Sequence, residues 1–137
     1  MMQEKWVKWE PLNGLMQKYY VDTVSTSIEC CLKIVLIDEQ NSAKKVHLVF
    51  EKFVAAYRYA HESFMNDLIF NLRESHGKSF YAEWTFFKVE NSTYIEWLTE
   101  KSEGTFMPKD YIHFSLVCGD VVLDVISVDD PIVNFKE

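Results

Sequence analysis

From Ile28 onward every second residue is apolar: Ile28, Cys30, Leu32, Ile34 and Leu36, the period of a strand with one buried face. The polar stretch Asp38 to Lys45 predicts a turn. Val46, Leu48 and Phe50 then alternate with His47, Val49 and Glu51, a second strand expected to pair with the first. Ahead of both, Tyr19 to Ser25 is rich in Tyr, Val and Thr and reads as a further strand. Trp6, Trp9 and Leu12 form an apolar cluster before the turn signal Asn13-Gly14.

From Glu62 the period lengthens. Phe64, Leu68 and Leu72 fall four apart with Met65 and Ile69 beside them, which predicts a helix over about 62–76. Gly77 suits its C-terminal stop, and His76 places a potential cation at the carbonyl end. Ser79 to Val89 is aromatic on both parities (Phe80, Trp84 and Phe86; Tyr81 and Phe87), as a strand covered on both faces would be. Asn91-Ser92-Thr93 supplies helix caps, and Thr93-x-x-Glu96 has capping-box spacing. A second helix over about 93–103, carrying Tyr94, Ile95 and Leu98 inward, ends near Gly104.

Tyr111 to Cys118 and Val121 to Ser127 are strands joined by Gly119-Asp120, which fits a tight type II′ hairpin. A two-residue loop pairs Cys118 with Val121, Leu116 with Leu123 and Phe114 with Val125, all on one face as a core requires. The other face then carries Val117 with Val122, Ser115 with Asp124 and His113 with Ile126, and its polar members suggest half-exposure. The expected fold is a single α+β domain: a mostly antiparallel sheet with two helices packed on one side.

Composition supports a folded chain. Of 137 residues, 48% are hydrophobic and 15% aromatic, with only four Gly and three Pro, which leaves little for linkers. The N-terminus holds no apolar run of a secretory signal, and no stretch approaches the ~20 apolar residues of a membrane span. Three cysteines without C-x-x-C spacing fit a reducing compartment, so a cytoplasmic protein is expected. The net charge of −7 speaks against nucleic acid as partner. Residues 1–89 hold eleven basic and eleven acidic groups, whereas residues 90–137 hold three and ten. Clustered acid in the last third either serves solubility or complements a basic partner. On the second view Glu96, Glu100, Glu103, Asp120, Asp124, Asp129 and Asp130 are the candidate contact residues. Trp84 and Trp97 are expected in the core, with Trp6 and Trp9 as anchors if exposed.

Several chemical signatures fail on spacing. The register gathers His113, Ser115 and Asp124, the residue types of a nucleophilic triad, on one face. Ser115 and His113 are two apart on one strand, about 6–7 Å along the backbone, with parallel side chains. No Gly-x-Ser-x-Gly turn presents the serine. His61-Glu62-x-x opens like a zinc-protease helix, but Met65 stands where the second imidazole belongs, and His47, His76 and His113 are isolated in sequence. Gly77-Lys78-Ser79 ends like a phosphate-binding loop, yet Leu72 occupies the position of its first glycine. Glu96/Glu100 and Asp129-Asp130 are the nearest carboxylate pairs, with nothing to drive their pKa values apart. No metal or cofactor is expected.

Asn91-Ser92-Thr93-Tyr94-Ile95-Glu96-Trp97-Leu98, the His113-Phe114 strand, the Asp124-Val125 strand and Pro131 together resemble a known pattern. It is that of small Gram-positive bacterial proteins of the polymorphic-toxin immunity type, over roughly residues 46–131. That resemblance implies a non-enzymatic protein that neutralises a cognate toxin by direct binding. The competing expectation is a small-molecule-binding or enzymatic domain with an aromatic-lined pocket and His113 or His61 as its polar residues.

Overall fold

Along the chain run β1 (Lys5–Lys8), β2 (Tyr19–Ser25), β3 (Leu32–Asp38), β4 (Lys45–Phe50), β5 (Val54–His61), α1 (Asn66–His76), α2 (Lys78–Ala82), β6 (Phe86–Glu90), α3 (Thr93–Lys101), β7 (Ile112–Val117), β8 (Val121–Ser127) and β9 (Ile132–Lys136). They come from a computed structural model that describes residues 3–29 and 31–136. Among the described residues the fold is α+β, with nine strands in two antiparallel sheets and three α-helices. One sheet has the order β1-β6-β7-β8-β5 and the other β2-β3-β4-β9, where a single sheet was expected.

The alternation in β3 and β4 aims Leu32, Ile34, Leu36, Val46, Leu48 and Phe50 at the inner face of the larger sheet. There they meet Phe86, Phe114, Leu116, Leu123 and Val125, so the main core lies between the two sheets. Edge-to-face ring pairs such as Phe50–Phe114, with centroids 5.5 Å apart, fill it. All helices lie on the opposite face of the larger sheet. Leu72 of α1 and Tyr81 of α2 pack with Trp6, Phe87 and Val117, and Tyr94 and Ile95 of α3 pack with Ile126.

The β7–β8 register agrees residue for residue with the sequence expectation: Leu116 faces Leu123, Phe114 faces Val125, Ser115 faces Asp124 and His113 faces Ile126. The turn itself is not type II′, because Gly119 is not among the glycines with positive φ. Its glycine answers a different need: a Cβ there would lie 2.3 Å from a Tyr20 ring carbon. The face carrying His113, Ser115 and Asp124 is buried under the helices, not half-exposed, with these side chains at 2%, 0% and 1% exposure.

Four further differences have local causes. Ser79 to Val89 is a short helix followed by a strand. Gly77 (φ 86°) halts α1, α2 turns Tyr81 toward the core, and Phe86 and Phe87 then cover the two faces of β6. The helix expected from Glu62 begins as a 3-10 turn over Glu62–Phe64, and Phe64 is exposed while Leu68, Ile69 and Leu72 pack. Ile28 lies outside β3 and is exposed, and Cys30 falls outside the described residues. Two tryptophans exchange roles, Trp6 being buried and Trp97 51% exposed, whereas Trp84 packs against the core as expected.

Candidate functional site

The helix α3 is tied to the sheet at its N-cap. Asn91 adopts a left-handed φ of 55°, and the next residue, Ser92, is extended and caps α3 by accepting the Ile95 N–H at 3.0 Å. Of the three caps offered by the sequence, Asn91, Ser92 and Thr93, it is Ser92 that serves, and Thr93, expected to open a capping box, is the first helical residue. Its N–H and hydroxyl both donate to Glu4 Oε2, joining the N-terminal segment to the helix.

The Ser92 hydroxyl lies 2.7 Å from His113 Nδ1, and His113 Nε2 lies 2.7 Å from Asp124 Oδ1. The other Asp124 oxygen accepts from Arg58 Nε and Nη2, at 3.2 and 2.9 Å. The guanidinium carbon of Arg58 in turn sits 4.3 Å from the centre of the Tyr94 ring. Nε2–H donates to Asp124, and Nδ1 shares the remaining hydrogen bond with the serine hydroxyl. Burial alone would raise the Asp124 carboxyl. The His113 hydrogen bond and charge, with the Arg58 charge and the neighbouring Ser115 hydroxyl, outweigh it and hold the group below its ordinary value. Ser115 Oγ itself is buried with no partner at ordinary hydrogen-bond geometry.

Sequence reasoning named His113 and Asp124 but paired them with Ser115. The serine that reaches the imidazole is Ser92, 21 residues away, and Arg58 went unremarked. The capping trio at 91–93 held the only sequence signal for Ser92, and none pointed to Arg58. The chain of groups matches a nucleophilic triad in composition, yet its groups are already engaged. Ser92 is 8% exposed and serves as a helix cap, and the Thr93 and Ile95 amides beside it, which could otherwise stabilise an oxyanion, are both occupied. The arrangement tethers α3, β5, β7 and β8 to one another.

Beside this tether opens a cleft of about 1020 Å³, floored by Val7, Val89, Ile95, Tyr111 and Ile112. Ser92 and His113 form part of its wall, and Glu90, Glu96 and Glu100 line it. Lys88, also at the cleft, is paired with Asp130 at 3.1 Å, which leaves Lys109 as its other lining cation. Of the acidic candidates, then, Glu96 and Glu100 share the cleft and Asp130 reaches it through Lys88. Glu103 follows α3 and Asp129 adjoins Asp130, both exposed, whereas Asp120 lies on the β7–β8 turn at the opposite end of the hairpin. Asp124 is a correction: buried and doubly paired, it is closed to any partner.

On the other flank of α3, Tyr57, Arg58, Tyr59, Thr93, Tyr94 and Trp97 line an aromatic recess of about 620 Å³. Among the described residues no three His, Cys, Asp or Glu side chains are placed to share a metal ion. His61 is exposed and bonded to Ser63, and His76 stacks on Phe80 at 4.0 Å. Among the described residues no helix is long and apolar enough to cross a membrane. No family model matches the chain, and no curated protein or solved structure is significantly similar to it.

Proposed function

We propose that the chain is a non-enzymatic protein-binding domain that meets a basic partner through the acidic side of α3, as an immunity protein meets its toxin. The observation that carries the reading is the convergence of Glu90, Glu96 and Glu100 on one apolar-floored cleft. Acid around an apolar floor suits recognition of a protein surface whose cations surround an apolar patch.

The test is binding to the product of the gene adjacent to this one across a salt series. Affinity falls as salt rises, and Glu96→Lys with Glu100→Lys weakens it by about tenfold or more, roughly 1.4 kcal/mol. Binding that ignores both salt and these substitutions, or no binding at all, rejects the reading.

The Ser92–His113–Asp124 chain favours a second reading, acyl transfer on a ligand in the same cleft. A fluorophosphonate probe separates the two. Labelling that disappears in Ser92→Ala supports acyl transfer, and an unlabelled wild-type protein removes it.

A further inference from the structure

The two sheets present four edge strands: β1 and β5 in one, β2 and β9 in the other. An edge strand exposes unpaired amides and carbonyls, and folded proteins guard such edges with charge, bulges or brevity. β1 is four residues long with Lys5 and Lys8 at its ends, and β9 ends in Lys136. β2 is bulged between Val21 and Thr23 around Asp22. β5 is different. At eight residues it is the longest strand, its one bulge lies at the Val54 end, and it contains no lysine and no carboxylate. Its single full charge, Arg58, is tied back to Asp124.

The hydrogen-bond phase of β5 follows from its neighbours. Glu62 N–H donates to Asp120 O, which continues a ladder in which Ala60 pairs with Val122, Arg58 with Asp124 and Ala56 with Ile126. Antiparallel pairs alternate between bonded and non-bonded, so the even-numbered residues bond to β8. Tyr57, Tyr59 and His61 therefore turn their N–H and C=O groups off the sheet, where no described residue meets them. The same tyrosines are 43% and 56% exposed.

We infer that β5 is a self-association edge, on which the β5 of a second copy adds antiparallel about a two-fold axis and joins two five-stranded sheets into one of ten. The outward groups sit on odd-numbered residues, so bonded pairs between copies must match odd with odd. A register centred on Arg58 would set two guanidinium groups opposite each other. The register centred on Tyr59 avoids this: Tyr59 faces its own copy, Tyr57 faces His61, and Arg58 faces Ala60. Rings gain ring partners, the cation meets no like charge, and the acid that gives the chain its −7 lies off this edge. The inference is independent of the proposed function, because Glu96 and Glu100 line the cleft on the other flank of α3.

Sedimentation velocity of the wild-type chain over a concentration series gives a species of twice the 16.2 kDa chain mass that dissociates on dilution. Tyr57→Lys with Tyr59→Lys, at two exposed side chains, returns it to monomer with an unchanged circular dichroism spectrum. For the register, Tyr59→Cys in a Cys30→Ser, Cys31→Ser background is oxidised with diamide. Facing Cα atoms in a bonded pair lie about 5.5 Å apart, within disulfide reach, so this variant cross-links. Tyr57→Cys does not, because its own copy lies four residues along, about 13 Å away. A wild-type protein that stays monomeric at every concentration overturns the proposal. So does a dimer that survives the paired lysines, or that cross-links through Tyr57 and not Tyr59.

Discussion

Asp124 is the residue on which most of the polar interior depends. It is 1% exposed and receives hydrogen bonds from His113 and Arg58, so removing it leaves a buried imidazole unsatisfied and a guanidinium unpaired. Asp124→Ala lowers unfolding free energy by about 3–5 kcal/mol, read from urea midpoints at constant m-value. The same partners set a pH dependence. The folded carboxyl titrates below its unfolded value, so between the two the folded state binds fewer protons. The stability it contributes is complete above about pH 4 and is lost as pH falls through the folded value. Asp124→Asn removes that acid-side slope, and wild-type unfolding curves between neutral pH and pH 2 show it. At this scale the sequence was half legible. The hairpin period placed His113 and Asp124 on one face, because β pairing is local there. Ser92 and Arg58 arrive from other elements, and no spacing rule links them to His113.

At the scale of elements, α3 is held by its cap more than by its length of nine residues, which alone is marginal in water. Ser92 both accepts the Ile95 amide and meets His113, so the two side chains act together. Ser92→Ala costs about 1–2 kcal/mol. In a double-mutant cycle with His113→Ala the two losses fall short of adding, by about 0.5–3 kcal/mol. Additive losses would mean that cap and imidazole are energetically separate. Most of the elements that were legible share one property, a clean period, whereas β2 was read from its Tyr, Val and Thr content. β3, β4, β7 and β8 alternate, and α1 and α3 recur at three and four. β5 was not anticipated because Val-Ala-Ala-Tyr-Arg-Tyr-Ala-His lies at an edge, where only one side of each residue packs and alternation is not enforced. β1 and β9 are too short for a period to emerge. Ser79 to Val89 misled for the opposite reason, since aromatic residues on both parities served two elements, not one strand with two covered faces.

For the whole molecule, the segment between β1 and β2 is what joins the two sheets at their margin. Lys18 donates to Trp84 O at 2.9 Å and also to Val117 O, while Gly119 N–H donates to Tyr19 O at 3.1 Å. Both contacts run from the approach to the smaller sheet into the larger one. The position costs Lys18 its hydration, and burial, only partly countered by Cys118, Glu39 and Glu62, lowers its ammonium to about 8 from an ordinary 10.5. The sign follows from proton counting. Between about pH 8 and 10.5 the unfolded chain keeps the Lys18 proton and the folded chain releases it, so stability rises with pH across that window. Cys118 works the other way: its buried thiol is pushed up to about 12 from 9.0, which removes stability as pH climbs above 9. The two effects separate by comparing wild type with Lys18→Met, which keeps the thiol. The difference in unfolding free energy then moves in favour of wild type from pH 8 upward, because only the wild type sheds a buried charge. A difference that stays flat over this range would mean that Lys18 reaches water in the folded protein. In that case its two carbonyl bonds would not be what holds the sheets together at this corner.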